Sequence, residues 1–177
     1  MTQQRRPLPP LNAADMERLA LRYVERYATT RGRLADYLRR KIRERGWNGE
    51  AMPDTAALAQ RMADLGYVDD RLFAESKAGA MSRRGLGARR VDQALRHAGV
   101  EDSDLDAVAP AVEANMISSA VAFARRKHIG PFARQLAERP QQEKQLAAMV
   151  RAGHPFELAR KIVRMAPGDD VNALDEW

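Results

Sequence analysis

The sequence predicts an all-α protein built from three tandem three-helix repeats in an elongated array that is free to curve. Three observations predict it. Apolar residues recur at helical spacing along most of the chain, and no alternating run is long enough for a sheet. Gly46, Gly99 and Gly153 lie 53 and 54 residues apart; Ile42, Leu95 and Met149 stand four positions before them, and Trp47, Val100 and His154 directly after. Aromatic residues make up only 6% of the chain and much of its 45% hydrophobic content is alanine, which suits several thin helical cores better than one deep core.

Residues 1–11 are expected to form a disordered tail, with Arg5, Arg6 and three prolines but no hydrophobic signal core. The first repeat, 12–66, opens at Asn12, a suitable N-cap, and Leu19, Ala20, Tyr23, Val24 and Tyr27 give its first helix one apolar stripe. Thr29 or Thr30 caps the second helix, which turns Leu34, Leu38 and Ile42 inward and ends at Gly46, with Trp47 folded back onto it. Asn48-Gly49 is a turn. Pro53-Asp54 then opens a third helix with Leu58, Met62 and Leu65 inward, closed by Gly66.

Tyr67 and Val68 follow as buried spacers, and Asp69 or Asp70 can cap the next helix. The second repeat, 67–114, then runs through the same plan. Leu72, Phe73, Ser76 and Ala80 mark its first helix, and Arg83-Arg84-Gly85-Leu86-Gly87 interrupts it. Val91, Leu95 and Ala98 mark the second helix, ended by Gly99. Ser103 or Asp104 caps the third, which turns Leu105, Val108 and Val112 inward and should kink or restart at Pro110.

The third repeat, 115–166, is looser. Ala120, Val121, Phe123 and Ala124 make a helix beginning near Ser118, and a long join over 128–142 carries Gly130, Pro131 and Pro140. Leu146, Met149 and Val150 define the next helix. Pro155 suits the first position of the last, with Leu158, Ile162 and Val163 inward. Residues 167–177, with Asp169, Asp170, Asp175 and Glu176, read as a disordered acidic tail.

Charge is clustered. The net charge is +6, yet residues 22–45 hold nine Lys/Arg against three acids and residues 83–96 hold five Arg against Asp92. Lys41 is the only lysine among those fourteen, and a planar guanidinium can grip carboxylate or phosphate with two hydrogen bonds. On the second helix of the first repeat, Arg33, Arg39, Arg40 and Arg43 lie opposite the apolar face; in the second repeat Arg89, Gln93 and Arg96 face outward, flanked by Arg90 and preceded by Arg83 and Arg84. The second helix of the third repeat turns only Lys144 and Arg151 outward. Such clustering points to a polyanion or an acidic protein surface as partner. These small units are helix-turn-helix-like, but apart from Gln93 their outward faces lack a set of Asn, Gln and Ser beside the arginines to read bases, so contact with a phosphate backbone or an acidic protein fits better than sequence readout.

Catalytic and metal-binding patterns are thin. Asp69, Asp70 and Glu75 could be read as a carboxylate cluster for a metal-dependent nuclease, but Asp70 and Glu75 are five apart, which is poor for one helical face. Capping is the simpler role. His97, His128 and His154 have no zinc spacing, there is no cysteine, and Gly85-Leu86-Gly87 lacks the Lys-Ser/Thr of a phosphate loop. A binding protein without cofactor or metal is expected. No apolar run reaches the ~18 residues needed to span a bilayer, so a cytoplasmic protein is expected.

Three segments resemble the RecX family of regulatory proteins, modulators of the RecA recombinase: Leu65 to Ala74, Arg84 to Leu95 running into Gly99-Val100, and Arg151 to Arg160. The resemblance extends over roughly residues 15–166 and implies a non-catalytic chain of three helical repeats; a monomer is expected. Proteins of that family bind in the groove of the RecA–DNA filament and restrain its growth in recombination and the damage response. The partner implied is that filament, reached through Arg33, Arg39, Arg40, Arg43, Arg83, Arg84, Arg89, Arg90 and Arg96, with single- or double-stranded DNA touched through phosphates. The alternative is a stand-alone DNA-binding regulator that acts without RecA. The chain departs from the family pattern in its Gly46–Asp54 loop, its Gly130–Gln142 join and Gly153-His154-Pro155-Phe156 in place of Gly-Phe-Ser.

Overall fold

The computed structural model describes residues 9–174, so residues 1–8 and 175–177 of the two expected tails, with Asp175 and Glu176, lie outside the described residues. Nine helices follow in order among the described residues: α1 (Ala13–Arg26), α2 (Arg31–Arg45), α3 (Thr55–Asp64), α4 (Asp70–Arg83), α5 (Ala88–His97), α6 (Asp102–Ala114), α7 (Met116–Lys127), α8 (Arg139–Arg151) and α9 (Phe156–Arg164). Short 3-10 turns occupy Gly130–Phe132 and Val171–Leu174. The fold is all-α, in repeating three-helix units. No single helix among the described residues is long and apolar enough to cross a membrane.

The chain divides into two compact units. One takes the residues up to Phe73 together with Ala98–Val100; the other takes Ala74–His97 and the chain from Glu101 onward.

In the first unit, each helix start is fixed by a side chain that the sequence marks. Asn12 and Asp15 form a capping box: the Asn12 side chain accepts from Asp15 N at 2.9 Å, and Asp15 accepts from Asn12 N at 3.2 Å. Thr30 caps α2 by accepting from Arg33 N, and its hydroxyl donates to the Ala98 carbonyl. Asp54 caps α3, accepting from Ala56 N and Ala57 N. Leu34, Ala35, Leu38 and Ile42 of α2 are buried against Met16 and Ala20 of α1 and Ala59 and Met62 of α3.

Three expectations for this unit are corrected. Leu11 is fully buried, donates its N–H to Gly46 O at 2.9 Å and accepts from Asn48 N at 2.8 Å, so the expected tail is ordered at its described end. Leu65 and Tyr67 are exposed, at 62% and 53%. The buried arc of α3 is Thr55, Ala59 and Met62, and Leu65 caps the helix roughly 90° away from its centre at about 100° per residue. Asp70 caps nothing in its own helix. It is buried, and its carboxylate accepts from Arg31 N at 2.8 Å and Arg31 Nε at 3.1 Å, at the positive N-terminus of α2. Asp69 is the cap of α4, accepting from Leu72 N at 2.8 Å.

In the second unit, α4 buries Ala74, Ala78 and Met81, an i, i+4, i+7 stripe, while Leu72, which precedes this unit in the chain, is 62% exposed. The packed face therefore lies on nearly the opposite side of the helix from the expected Leu72, Phe73, Ser76 and Ala80. Val91 and Leu95 of α5 face Leu105 and Val108 of α6, all buried. Helix α6 begins one residue before Ser103, with Glu101 at its N-cap and no side-chain cap bond, and it runs unbroken through Pro110. The chain turns by 63° after Ala114, and α7 starts at Met116.

The last core gathers Phe123, Ile129, Met149, Leu158, Ile162 and Leu174. The expected loose join is partly core itself. His128 takes a left-handed conformation to end α7, Ile129 and Pro131 are buried, and a Cβ on Gly130 would stand 2.0 Å from Ile162 O. The acidic end is likewise ordered as far as it is described. Leu174 is fully buried, Gly168 N donates to Pro131 O at 2.9 Å and Lys161 Nζ to Ala173 O at 2.9 Å.

Candidate functional site

The arginine face of α2 exists because the opposite side of that helix is completely used by the core. Arg39, Arg40 and Arg43 are exposed, whereas Arg33 is half-buried with its guanidinium 5.3 Å from the Phe73 ring centre. Arg39 pairs with Asp36, and Arg40 Nε lies 3.6 Å from Glu44. Among the described residues Arg43 makes no ion pair. These exposed pairs contribute little to stability and give way readily to a competing anion.

The second cluster is uneven. Arg83 ends α4 and Arg84 follows it, both exposed, and the Arg84 carbonyl is held by the Arg126 guanidinium. On α5, Arg89 donates to Val150 O at 3.1 Å and Arg90 to Gln93 at 2.8 Å. Arg96 is bound on two sides, by Asp92 at 3.0 Å and Asp102 at 2.6 Å, and those carboxylates raise its pKa above the usual guanidinium value, Asp92 more than Asp102. Its charge is locally cancelled. The predicted site residues therefore separate into committed ones, Arg33 and Arg96, and open ones, led by Arg43, Arg83 and Arg84.

What places α5 is a backbone contact. Gly87 N donates to Ala152 O at 2.9 Å, and a Cβ on Gly87 would lie 2.3 Å from the Gly153 carbonyl carbon. The first unit holds a similar pair, in which a Cβ on Gly32 would lie 2.9 Å from Gly99 Cα. His154 locks the second pair. It is buried, meets Phe123 edge-on at 5.6 Å, and its Nε2–H donates to Gly85 O at 3.0 Å, leaving Nδ1 without a partner. Burial pushes its imidazole below the ordinary range, and the Gly85 bond opposes this.

Sequence reasoning missed two features. The tyrosines it assigned to the apolar stripe of α1 join an open aromatic cluster: Tyr23 stacks on Tyr37 at 4.3 Å between ring centres, and Tyr27 leans against Tyr23 at 5.2 Å, tilted by 50°. The signal was the repeated Arg-Tyr pair at Arg22-Tyr23 and Arg26-Tyr27, four residues apart on one face. The third set of helices is also richer in cations than its second helix suggests. Arg125, Arg126 and Lys127 end α7 exposed, and Arg160, Lys161 and Arg164 lie exposed on α9. The acidic trio does not form a site: Asp69 and Asp70 are each committed to the structural hydrogen bonds above, and no metal-binding group of His, Cys, Asp or Glu occurs among the described residues.

Comparisons with known proteins agree on one family. A family model described as the second three-helix domain of RecX matches residues 69–108. The chain is 33% identical over 160 residues to a protein named Regulatory protein RecX from Myxococcus xanthus, covering 86% of each chain. A protein of the same name from Agrobacterium fabrum is 27% identical, over 89% of this chain and 86% of that one. The crystal structure of RecX from Lactobacillus salivarius superposes with a TM-score of 0.62 at 19% identity, covering 93% of this chain and 97% of that one, a likeness of fold.

Proposed function

The chain belongs to the RecX family of regulatory proteins, and from that premise we propose that it binds the RecA–DNA filament and restrains its growth and activity in recombination and the DNA-damage response. It acts without chemistry of its own, in the cytoplasm. The observation that carries the reading is the pair of exposed arginine faces on α2 and around α5, each backed by a helix whose opposite side is filled by core. Guanidinium groups at that density suit acidic protein surface or phosphate. Arg43, Arg83, Arg84 and Arg90 make the main contacts, because their charge is not cancelled by a neighbouring carboxylate as that of Arg96 is.

The test measures the DNA-dependent ATPase of RecA on single strands with the chain added below stoichiometry. Inhibition is expected, and it should be lost in Arg43→Glu with Arg90→Glu while the helical circular dichroism stays intact. Unchanged inhibition in that variant removes the arginine faces from the account. Absence of inhibition by the unaltered chain, with nanomolar binding to bare duplex, would instead establish a stand-alone DNA-binding regulator.

A further inference from the structure

The tyrosine stack on α1 and α2 is arranged for a ligand. Tyr23 and Tyr27 come from α1 and its C-cap, Tyr37 from α2, and Tyr27, tilted against Tyr23, forms the outer edge of the cluster with 49% of its surface exposed. Arg26 lies 5.6 Å from the Tyr27 ring centre, and Arg40 and Lys41 lie 5.6 and 5.8 Å from that of Tyr37. These rings and cations, with Arg22, line an open groove of about 470 Å³ that has no carboxylate in its wall. Glu44 is the neighbouring counter-charge, bound by Lys41 and Arg40, and the Lys41 hydrogen bond holds its carboxyl below the usual range. Four cations against one acid leave the groove positive.

We propose that this groove binds single-stranded DNA, one unpaired base stacking on Tyr27 while Arg22, Arg26, Arg40 and Lys41 hold the adjoining phosphates. The exposed Tyr27 ring offers a base a face to lie on, with the Arg26 guanidinium beside it, the combination that single-strand binders use. Duplex DNA offers the phosphates but keeps its bases paired and stacked. An acidic peptide would use the cations and leave the exposed Tyr27 ring idle. The site lies wholly within the first unit and needs no recombinase, so its test is independent of the function proposed above.

The experiment is fluorescence anisotropy with the full chain and labelled strands about 15 nucleotides long: thymidylate, and an abasic strand of the same length. The unaltered chain should bind thymidylate about fivefold or more tighter than the abasic strand. Tyr27→Ala should erase that preference and Tyr27→Phe should keep it, with circular dichroism showing both folded. Arg26→Gln should leave the preference and lower the slope of log affinity against log salt by about 0.7. Equal binding of the two strands by the unaltered chain, a preference retained by Tyr27→Ala, or displacement of thymidylate by polyglutamate as easily as by unlabelled thymidylate would overturn the assignment.

Discussion

Replacing Asp70 by alanine should destabilise the protein far more than replacing its neighbour Asp69, although in sequence the two are interchangeable. Asp69 makes one exposed cap bond to Leu72 N, so its loss costs about 1 kcal/mol. The Asp70 side chain is 3% exposed and accepts two hydrogen bonds from Arg31, one from the backbone N–H and one from Nε. Bonds of that kind to a charged group contribute about 1.5–3 kcal/mol each when buried. The Arg31 side chain is 25% exposed and keeps Gln60 at 2.9 Å, which discounts the second bond. The sum is about 3 kcal/mol for Asp70→Ala and about half that for Asp70→Asn, which keeps an acceptor for the amide. Urea denaturation followed by circular dichroism measures this. With a slope near 2 kcal/mol per molar, Asp70→Ala should move the midpoint by about 1.5 M and Asp69→Ala by about 0.5 M. A double-mutant cycle with Arg31→Ala should return only part of the Asp70 cost, because the backbone bond survives that change. Equal midpoints for the two aspartate variants would refute the assignment of Asp70 to α2.

His154 gives a pH dependence. Its pKa is lowered in the folded protein from 6.5, so above that value folded and unfolded chains are both neutral there and stability is level. As pH falls below it the unfolded chain takes up the proton first, so stability drops until the folded imidazole also protonates. Urea midpoints at about pH 7.5 and pH 5.5 should therefore differ, and by less in His154→Gln. At the glycines, Gly87→Ala drives a methyl into the Gly153 backbone and should cost about 3 kcal/mol or more. Gly66→Ala, with φ +79 and open space around it, should cost about 1 kcal/mol, and thermal melts of the two compare them.

Much of this architecture is local and could be read from the chain. Asn12, Thr30 and Asp54 cap because a short polar side chain beside its own helix start needs no tertiary partner, and Leu34, Leu38 and Ile42 face inward by helical period alone. Of the paired glycines, Gly99 and Gly153 were legible as helix ends, whereas Gly32 and Gly87 were not. Their shared role, backbone against backbone at residues far apart in sequence, was not legible, because a missing side chain leaves no periodic trace. Asp70 was misread for a related reason: its partner is thirty-nine residues away. The face of α4 was misread in phase: at about 100° per residue the expected Leu72, Phe73, Ser76 and Ala80 lie on nearly the opposite side from the buried Ala74, Ala78 and Met81. At the arginine faces residue type was sufficient to nominate the site, but not to show that Asp92 and Asp102 cancel Arg96.

The Gly32–Gly99 and Gly87–Gly153 contacts carry one further consequence. Where two main chains touch with no side chain between them, there is nothing to trade for a slightly larger or smaller group. Neutral drift has no foothold there, since every amino-acid replacement of glycine adds atoms to occupied space. The outward helix faces are free of that constraint and can exchange charge for charge as a partner changes. Lineages of this protein should therefore remodel what they bind quickly while inheriting the two glycine seams unaltered.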